Sequence, residues 1–374
     1  MKNSGWRTAG TLIAALLVYE LGKLTGALAA QALQAAAEEA WGLYLGAGFD
    51  TGAASGAGTA AASGMDGAGA AGFWNGLSQI LMQLAAGAAV YLVWGKELGR
   101  KEAKGRGQTG QGGKVRGAKR MNSAWKTGGL LLGLSVTSAL GLNLLLSLSG
   151  LTLLSGSFRE TAAVQAAVPA GLGIVLYGIA APFSEELLFR GIFYRRTREA
   201  FGGAVPEGGA FGGAALKGRE AGGTGLEGRT FGEAVSEGAT GGRSAENAGA
   251  VRARMAAAAA SSLMFGIYHG NPVQGIYAFL IGLLLCLVYE RTGKLTAAVL
   301  FHGAGNLAVY LLIDMAGLGE RLSFFGAVGL CALLLGATAL CLRLSGLCPD
   351  GGKGGRTTED GAVKKREKGA KRSC

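Results

Sequence analysis

Long apolar stretches separated by polar, glycine-rich segments dominate this chain of 374 residues. A helix that crosses the hydrocarbon core of a bilayer needs about 20 apolar residues, and eight stretches approach that length. They lie near 9–31, 76–95, 127–154, 166–189, 255–270, 273–290, 295–316 and 322–342. The third is longer than needed, and the fifth is rich in alanine and the weakest by hydropathy. The pattern predicts an all-α fold, a polytopic membrane helix bundle of about eight transmembrane helices.

The Lys and Arg residues are distributed unevenly between the alternate connecting segments. If the N-terminus is cytoplasmic, the cytoplasmic segments contain 33 of the 36 Lys and Arg residues, and only Arg159 and Arg321 fall on the other side. Cytoplasmic loops of membrane proteins carry such an excess. We therefore expect a multi-pass protein of the cell membrane with both termini in the cytoplasm. This orientation explains the net charge of +12 and removes the argument for a nucleic-acid partner.

The first apolar stretch has a second interpretation. Lys2 and Arg7, followed by an apolar run and by Ala27-Leu28-Ala29, resemble a secretory signal peptide. Glu20 and Lys23 make the stretch an imperfect transmembrane span as well. We favour an uncleaved helix, and cleavage would leave the expected topology of the rest unchanged.

Glycine is the main compositional anomaly, with 69 residues, and charged residues make up only 16%, against about 25% in soluble proteins. Segments poor in large aliphatic residues cannot offset the entropy of ordering, so three are predicted to be disordered: 32–75, 96–124 and the low-complexity segment 201–250. The predicted organisation is four-part: N-terminal transmembrane helices (1–164), a core with the 201–250 insertion (165–315), a last transmembrane helix (316–348) and a basic cytoplasmic tail (349–374).

Ionisable and amide side chains cluster in three of the apolar stretches, where such groups are costly and mark functional sites. The fourth stretch contains Glu185, Glu186 and Arg190, and the fifth ends at His269. The seventh contains His302 and Asn306. The chain has only two histidines, and both lie in these stretches.

The spacing of these residues places them in pairs on helix faces. Residues four apart share a face, which applies to Glu186 with Arg190, Phe265 with His269, and His302 with Asn306. Glu185 is rotated by about 100° from Glu186. One carboxylate is therefore expected to pair with Arg190 while the other points into a cavity, about a third to half of the way into the bilayer from the cytoplasm.

Two kinds of chemistry fit this set. A carboxylate and an imidazole that share a water can make it a nucleophile, and a second imidazole with a carboxamide can stabilise an oxyanion. This is peptide hydrolysis. Alternatively, Glu185, His269 and His302 form a His₂Glu set that could hold a catalytic zinc ion. The sequence contains no HExxH motif. It also contains no phosphate-binding GxxxxGK[ST] motif, and this second absence argues against an NTPase.

Three motifs together, EExxxR at 185–190, FxxxH at 265–269 and HxxxN at 302–306, resemble those of the CPBP family. This family comprises intramembrane proteases related to the type II CAAX prenyl endopeptidases, also called Abi or lysostaphin-resistance-like proteins. The resemblance covers about 165–315 and includes the 201–250 insertion, which departs from the compact family core.

The resemblance implies a helical membrane bundle with a hydrophilic cavity that opens toward the cytoplasm. It implies that Glu185 and His269 activate water, that His302 and Asn306 form the oxyanion site, and that Glu186 and Arg190 position the others. Members are named metalloproteases, yet this set can act without a metal. We favour the metal-independent mechanism, with no cofactor, and keep zinc as the alternative.

Two further function classes remain open at this point. Chains of Glu, His and Arg in membrane spans also mark proton-coupled carriers, but the spans show no inverted repeat. A non-proteolytic immunity or regulatory protein is the other class. The expected partners are a membrane-associated protein or peptide substrate and the lipid bilayer.

Overall fold

The computed structural model describes residues 2–46, 67–106, 115–202 and 238–345. Within these ranges the chain is helical and contains no strand, so the predicted all-α class is confirmed. The helices are α1 (Lys2–Gly46), α2 (Gly67–Arg106), α3 (Val115–Leu148), α4 (Leu151–Leu154), α5 (Gly156–Ala166), α6 (Ala170–Ala200), α7 (Gly238–Tyr268), α8 (Pro272–Thr292), α9 (Leu295–Met315), α10 (Leu318–Arg321) and α11 (Phe324–Leu344).

Seven helices of the described part are long and apolar enough to cross a membrane: α1, α2, α3, α6, α8, α9 and α11. They correspond to seven of the eight predicted spans. The eighth, 255–270, corresponds to the last part of α7, and this helix is not among the seven. Only 14 residues separate Arg254 from the end of α7 at Tyr268, which is shorter than the roughly 20 residues that a span needs. The long third stretch is divided at Gly150, whose φ of 76° ends α3 and precedes the short α4. The chain is a multi-pass membrane protein.

Helices extend into three segments predicted to be disordered, and the prediction is wrong there. The segment 32–75 is helical at both ends, in α1 and α2, while 96–106 continues α2 and 115–124 begins α3. Residues 238–250 form the start of α7. The error has a physical cause at 32–40, where alanine, the best helix former, predominates. The rest of these segments, and the tail from 346, lie outside the described residues.

Helix α6 lies at the centre of the bundle and holds the EExxxR motif. It packs against α1, α2, α7 and α9, while α3 packs between α9 and α11, and α7 pairs with α8. In the most apolar 18-residue window of each helix, 56% of the window is buried in α6 but only 11% in α11. More of α6 than of α11 is therefore enclosed by protein.

The backbone of α6 is irregular where it meets α9. Two π-helical segments, Leu176–Ala180 and Leu187–Tyr194, flank the α-helical turn that carries both glutamates. Pro182 has no N–H to donate to the carbonyl four residues earlier, that of Gly178. That carbonyl lies against Gly303 of α9. A Cβ added at position 303 would lie less than 3.0 Å from the carbonyl oxygen of Gly178, a distance that real Cβ atoms essentially never show. A glycine at 303 is thus required for the two backbones to approach.

The bundle has two chemically different ends. At the basic end, Arg198 of α6 and Arg254 of α7 form ion pairs with Glu290 of α8, so the last turns of α6 and α8 lie beside the middle of α7. At the opposite end, called here the open end, α6 begins and a short turn joins α7 to α8.

Candidate active site

Four of the predicted site residues line one cavity of about 260 Å³: Glu185, His269, His302 and Asn306. They come from α6, from the turn after α7, and from α9. The structure therefore brings together side chains that are up to 121 positions apart in sequence (306 − 185). The catalytic roles of these residues stay predictions.

Glu186 is at the centre of a buried charge network beside the cavity. Its Oε1 accepts a hydrogen bond from Arg190 Nη1 at 2.8 Å, in the ion pair that the spacing predicts, and both side chains are fully buried. Arg190 Nη2 also donates to the carbonyl of Gly282 in α8 at 3.1 Å. The same carboxylate oxygen lies 2.9 Å from His302 Nδ1. Glu186 and Arg190 thus hold His302 rather than face the cavity.

His302 lies between the two carboxylates. Because a carboxylate can only accept, the contact with Glu186 places a proton on Nδ1, and Nε2 is left 3.8 Å from Glu185 Oε2. For Nε2 also to donate to an oxyanion, the ring must carry a second proton. The resemblance implied a pairing of Glu185 with His269, whereas in the structure Glu185 lies beside His302.

His269 is fixed by the backbone of its own helix. Its Nδ1 lies 2.7 Å from the carbonyl of Phe265, and since a carbonyl accepts, Nδ1 carries the proton and Nε2 presents a lone pair. The helix ends here because Gly270 adopts a φ of 75°. Asn271 then caps α8 by accepting from Gln274 N at 2.8 Å. The ring is therefore oriented as a neutral base would be.

Phe265 separates the two histidines and packs on both. Its ring centroid lies 4.7 Å from that of His269 and 5.7 Å from that of His302, each nearly perpendicular. The Arg190 guanidinium stacks 4.6 Å from the same ring centroid. This residue acts as packing that fixes both imidazoles.

The sequence analysis missed the polar side chains of α1 and α2 that lie beside the candidate site. Tyr19 of α1 donates to Gln83 of α2 at 2.7 Å, and its hydroxyl lies 3.2 Å from that of Ser184. Next to His269, the Tyr268 hydroxyl donates to Glu20 at 2.6 Å and accepts from Lys23 at 3.0 Å. A usable signal was the pair Gln79 and Gln83, four residues apart in an otherwise apolar stretch, and both line the cavity.

The zinc alternative requires three protein ligands at about 2.0–2.2 Å from one ion. Among the residues that the structure describes, no three His, Cys, Asp or Glu side chains are gathered as a metal site. As placed, Glu185, His269 and His302 do not form a ligand set.

The cavity lies in the open half of the bundle. From α6 it is lined by Leu176, Tyr177, Ala181 and Glu185, and from α9 by residues between His302 and Asp314. The resemblance implied a cavity that opens toward the cytoplasm, the side on which the charge distribution places the basic end. The cavity is found at the open end of the bundle. The expected cytoplasmic opening of the cavity therefore disagrees with the expected cytoplasmic location of the basic end.

Comparison with protein families supports the resemblance drawn from the three motifs. The model of the family described as type II CAAX prenyl endopeptidase Rce1-like matches residues 233–308. Neither the curated proteins nor the solved structures include a match. The match supports an intramembrane protease of the CAAX type in general terms.

The matched region contains part of the candidate site. It includes His269, His302 and Asn306, carried by α7 to α9, but not the EExxxR motif of α6. The assignment of Glu185 and Glu186 therefore depends on the motif and on their position beside the matched histidines.

Proposed function

We propose that this protein is an intramembrane endopeptidase that hydrolyses peptide bonds of membrane-associated polypeptides. One observation carries the proposal: a carboxylate, two imidazoles and a carboxamide line a single cavity within an apolar bundle. Polar groups at such a depth are costly unless they act on a ligand or on one another. The prenylated CAAX segments named in the family description are one candidate substrate class.

The chemistry follows from the orientation of each group. A water in the cavity gives a proton to Glu185, assisted by the Nε2 lone pair of His269, and the resulting hydroxide attacks the scissile carbonyl. The oxyanion that forms accepts hydrogen bonds from His302 Nε2 and from the Asn306 amide. As the C–N bond breaks, Glu185 returns its proton to the leaving nitrogen. Glu186 and Arg190 act only by positioning His302.

We further propose that this hydrolysis needs no metal. The carboxylate and the imidazoles together provide a base, an acid and oxyanion donors, so each proton transfer has a protein group. Elemental analysis of an active, purified preparation tests this point. One zinc per chain, lost together with activity in His302→Ala, would support the metal alternative instead.

The assay of catalysis compares wild type with Glu185→Gln on a library of membrane-tethered peptides. The substitution keeps the shape and removes the base, so the rate should fall by about 10²–10⁴-fold. Glu97→Gln is the matched control, because Glu97 pairs with Arg196 at the basic end, outside the cavity. Equal hydrolysis by wild type and Glu185→Gln would refute the assignment.

A further inference from the structure

The cavity extends from the candidate catalytic residues in one direction only. On α9 its lining begins at His302 and continues to Asp314, twelve residues further toward the open end. At 1.5 Å per residue this distance is about 18 Å. On α8 the lining is confined to Val273–Ile281, the half nearest the α7–α8 turn. All of these segments belong to the open half of the bundle.

Toward the basic end the bundle is closed. From Glu186 to Tyr194 every residue of α6 is buried, and the aromatic rings of Phe189, Phe193 and Tyr194 fill the core around it. Ten residues separate Glu185 from Arg195, about 15 Å of packed helix. A separate groove of about 230 Å³ lies at the basic end. None of the four candidate catalytic residues lines it.

The distribution of positive charge relates these ends to the two faces of a membrane. Cationic side chains concentrate at the basic end: Lys96, Arg195, Arg196, Arg198, Arg252, Arg254, Arg291 and Lys294. On the loops of the open end, the described cations are Arg159 and Arg321. Because Lys and Arg are retained on the cytoplasmic side, the basic end is cytoplasmic and the open end is extracytoplasmic.

The lining of the cavity also selects by charge. Its described residues include the carboxylates Glu185 and Asp314 but no Lys or Arg. Besides Asn306, amide side chains occur at five positions around the same space: Gln79, Gln83, Asn143, Gln165 and Gln274. Amides can hydrogen-bond to a peptide backbone in either direction. Two negative groups without a neighbouring cation disfavour an anionic ligand.

We propose that the catalytic cavity is entered from the extracytoplasmic face and admits a neutral or cationic polypeptide segment from that side. The proposal rests on the proposed function, because it assigns a face and a substrate class to the same cavity. Asp314, at the far end of the cavity, would bind a basic side chain of the substrate. Among the candidate substrates, this charge selection favours segments without a free carboxylate over a prenylated CAAX segment, which ends in one.

Cysteine labelling tests the entry face without relying on catalysis. Cys341, Cys348 and Cys374 are replaced by serine, while the buried Cys286 and Cys331 are retained because buried thiols are inert. Asn143→Cys then reports on the cavity, Arg321→Cys on the open end and Arg196→Cys on the basic end. A membrane-impermeant maleimide added to intact cells should label the first two variants. It should label Arg196→Cys only after permeabilisation.

Cleavage of paired peptides tests the charge selection. Two otherwise identical peptides carry Lys or Glu about five residues from the scissile bond, because an extended chain needs about five residues to span 18 Å, and both are supplied to purified protein. Wild type should cleave the Lys peptide roughly fivefold faster, the size expected of one partly exposed charge pair. Asp314→Asn should lower the rate for the Lys peptide roughly fivefold, to the rate for the Glu peptide, and so remove the preference. Equal rates for the two peptides with wild type would contradict the charge selection.

The two measurements separate the possible failures. Labelling of Asn143→Cys only from the cytoplasmic face, in a parent protein that hydrolyses peptides, would overturn the entry face alone. Labelling as expected with no hydrolysis of any peptide would overturn the proposed function and leave the entry face standing.

Discussion

The two halves of α6 use polar side chains for different purposes. The half from Ala170 to Glu185 borders the cavity, and its last residue presents a carboxylate to that space. The half from Glu186 to Ala200 contains more charge, yet Arg190 and Arg198 are ion-paired with protein carboxylates and shielded from solvent. In an apolar bundle an unpaired charge is costly. Paired groups there support the fold, whereas groups that face a cavity act on what enters it.

Breaking the buried ion pair is expected to have the largest effect on stability. Arg190→Met leaves the Glu186 carboxylate uncompensated in a fully buried position. The loss of one partner of such a pair costs about 3–5 kcal/mol. Unfolding in detergent, followed by circular dichroism against denaturant, measures the change.

The matched control lies at the basic end. Arg196 pairs with Glu97 and Glu199 where the side chains are partly exposed, so Arg196→Met should cost at most about 1 kcal/mol. If both variants lost the same stability, the contrast between the packed core of α6 and its exposed end would not hold.

An intermediate effect is expected where α6 meets α9. In Gly303→Ala the added methyl group meets the carbonyl of Gly178, and such overpacking costs about 1–3 kcal/mol. Because His302 is the neighbouring residue, peptide hydrolysis should fall further, by roughly 10²-fold for a displacement of about 1 Å. Gly336→Ala in α11 is the control, since its added Cβ would meet no atom within 4 Å. Wild-type hydrolysis by Gly303→Ala would show that the close approach is dispensable.

The smallest effect is expected from the insertion between α6 and α7. Both helices reach it at the basic end, away from the cavity, and loop length changes closure entropy only slowly, about 0.6 kcal/mol per doubling. Replacement of residues 203–237 by a short Gly/Ser linker should leave the unfolding midpoint and the hydrolysis of small peptides unchanged. Lost cleavage at an unchanged midpoint would mean that this insertion recruits substrate, contrary to its interpretation as low-complexity sequence.

Local spacing explains what the sequence could predict of the site. Glu186 and Arg190 are one helical turn apart, so their pairing follows from helix geometry alone. The same argument predicted that Glu185 faces away from Arg190 and lines a cavity. The helical class followed equally directly, because a long apolar stretch must satisfy its backbone hydrogen bonds internally in a membrane.

Tertiary contacts explain what it could not predict. The contact between Glu186 and His302 joins residues 116 positions apart, and it depends on a close approach of α6 and α9 that no local pattern encodes. The contribution of α1, through Tyr19 and Lys23, likewise arises from helix packing. The location of the cavity in the open half could also not be predicted from the sequence. The spacing of residues gives their depth along one helix, but it does not show which end of the bundle is filled by packed side chains.

The two π segments of α6 have a consequence for insertions and deletions. A π turn forms when an α-helix accommodates an extra residue within a single turn, and it often occurs at functional sites. Removal of one residue from Leu187–Tyr194 would restore an ordinary α turn while both ends of α6 keep their contacts with the bundle. Shortening would therefore change the angle between the glutamates and α9 more than it would change the fold. In this helix the number of residues, and not only their identity, determines whether the carboxylates face the histidines.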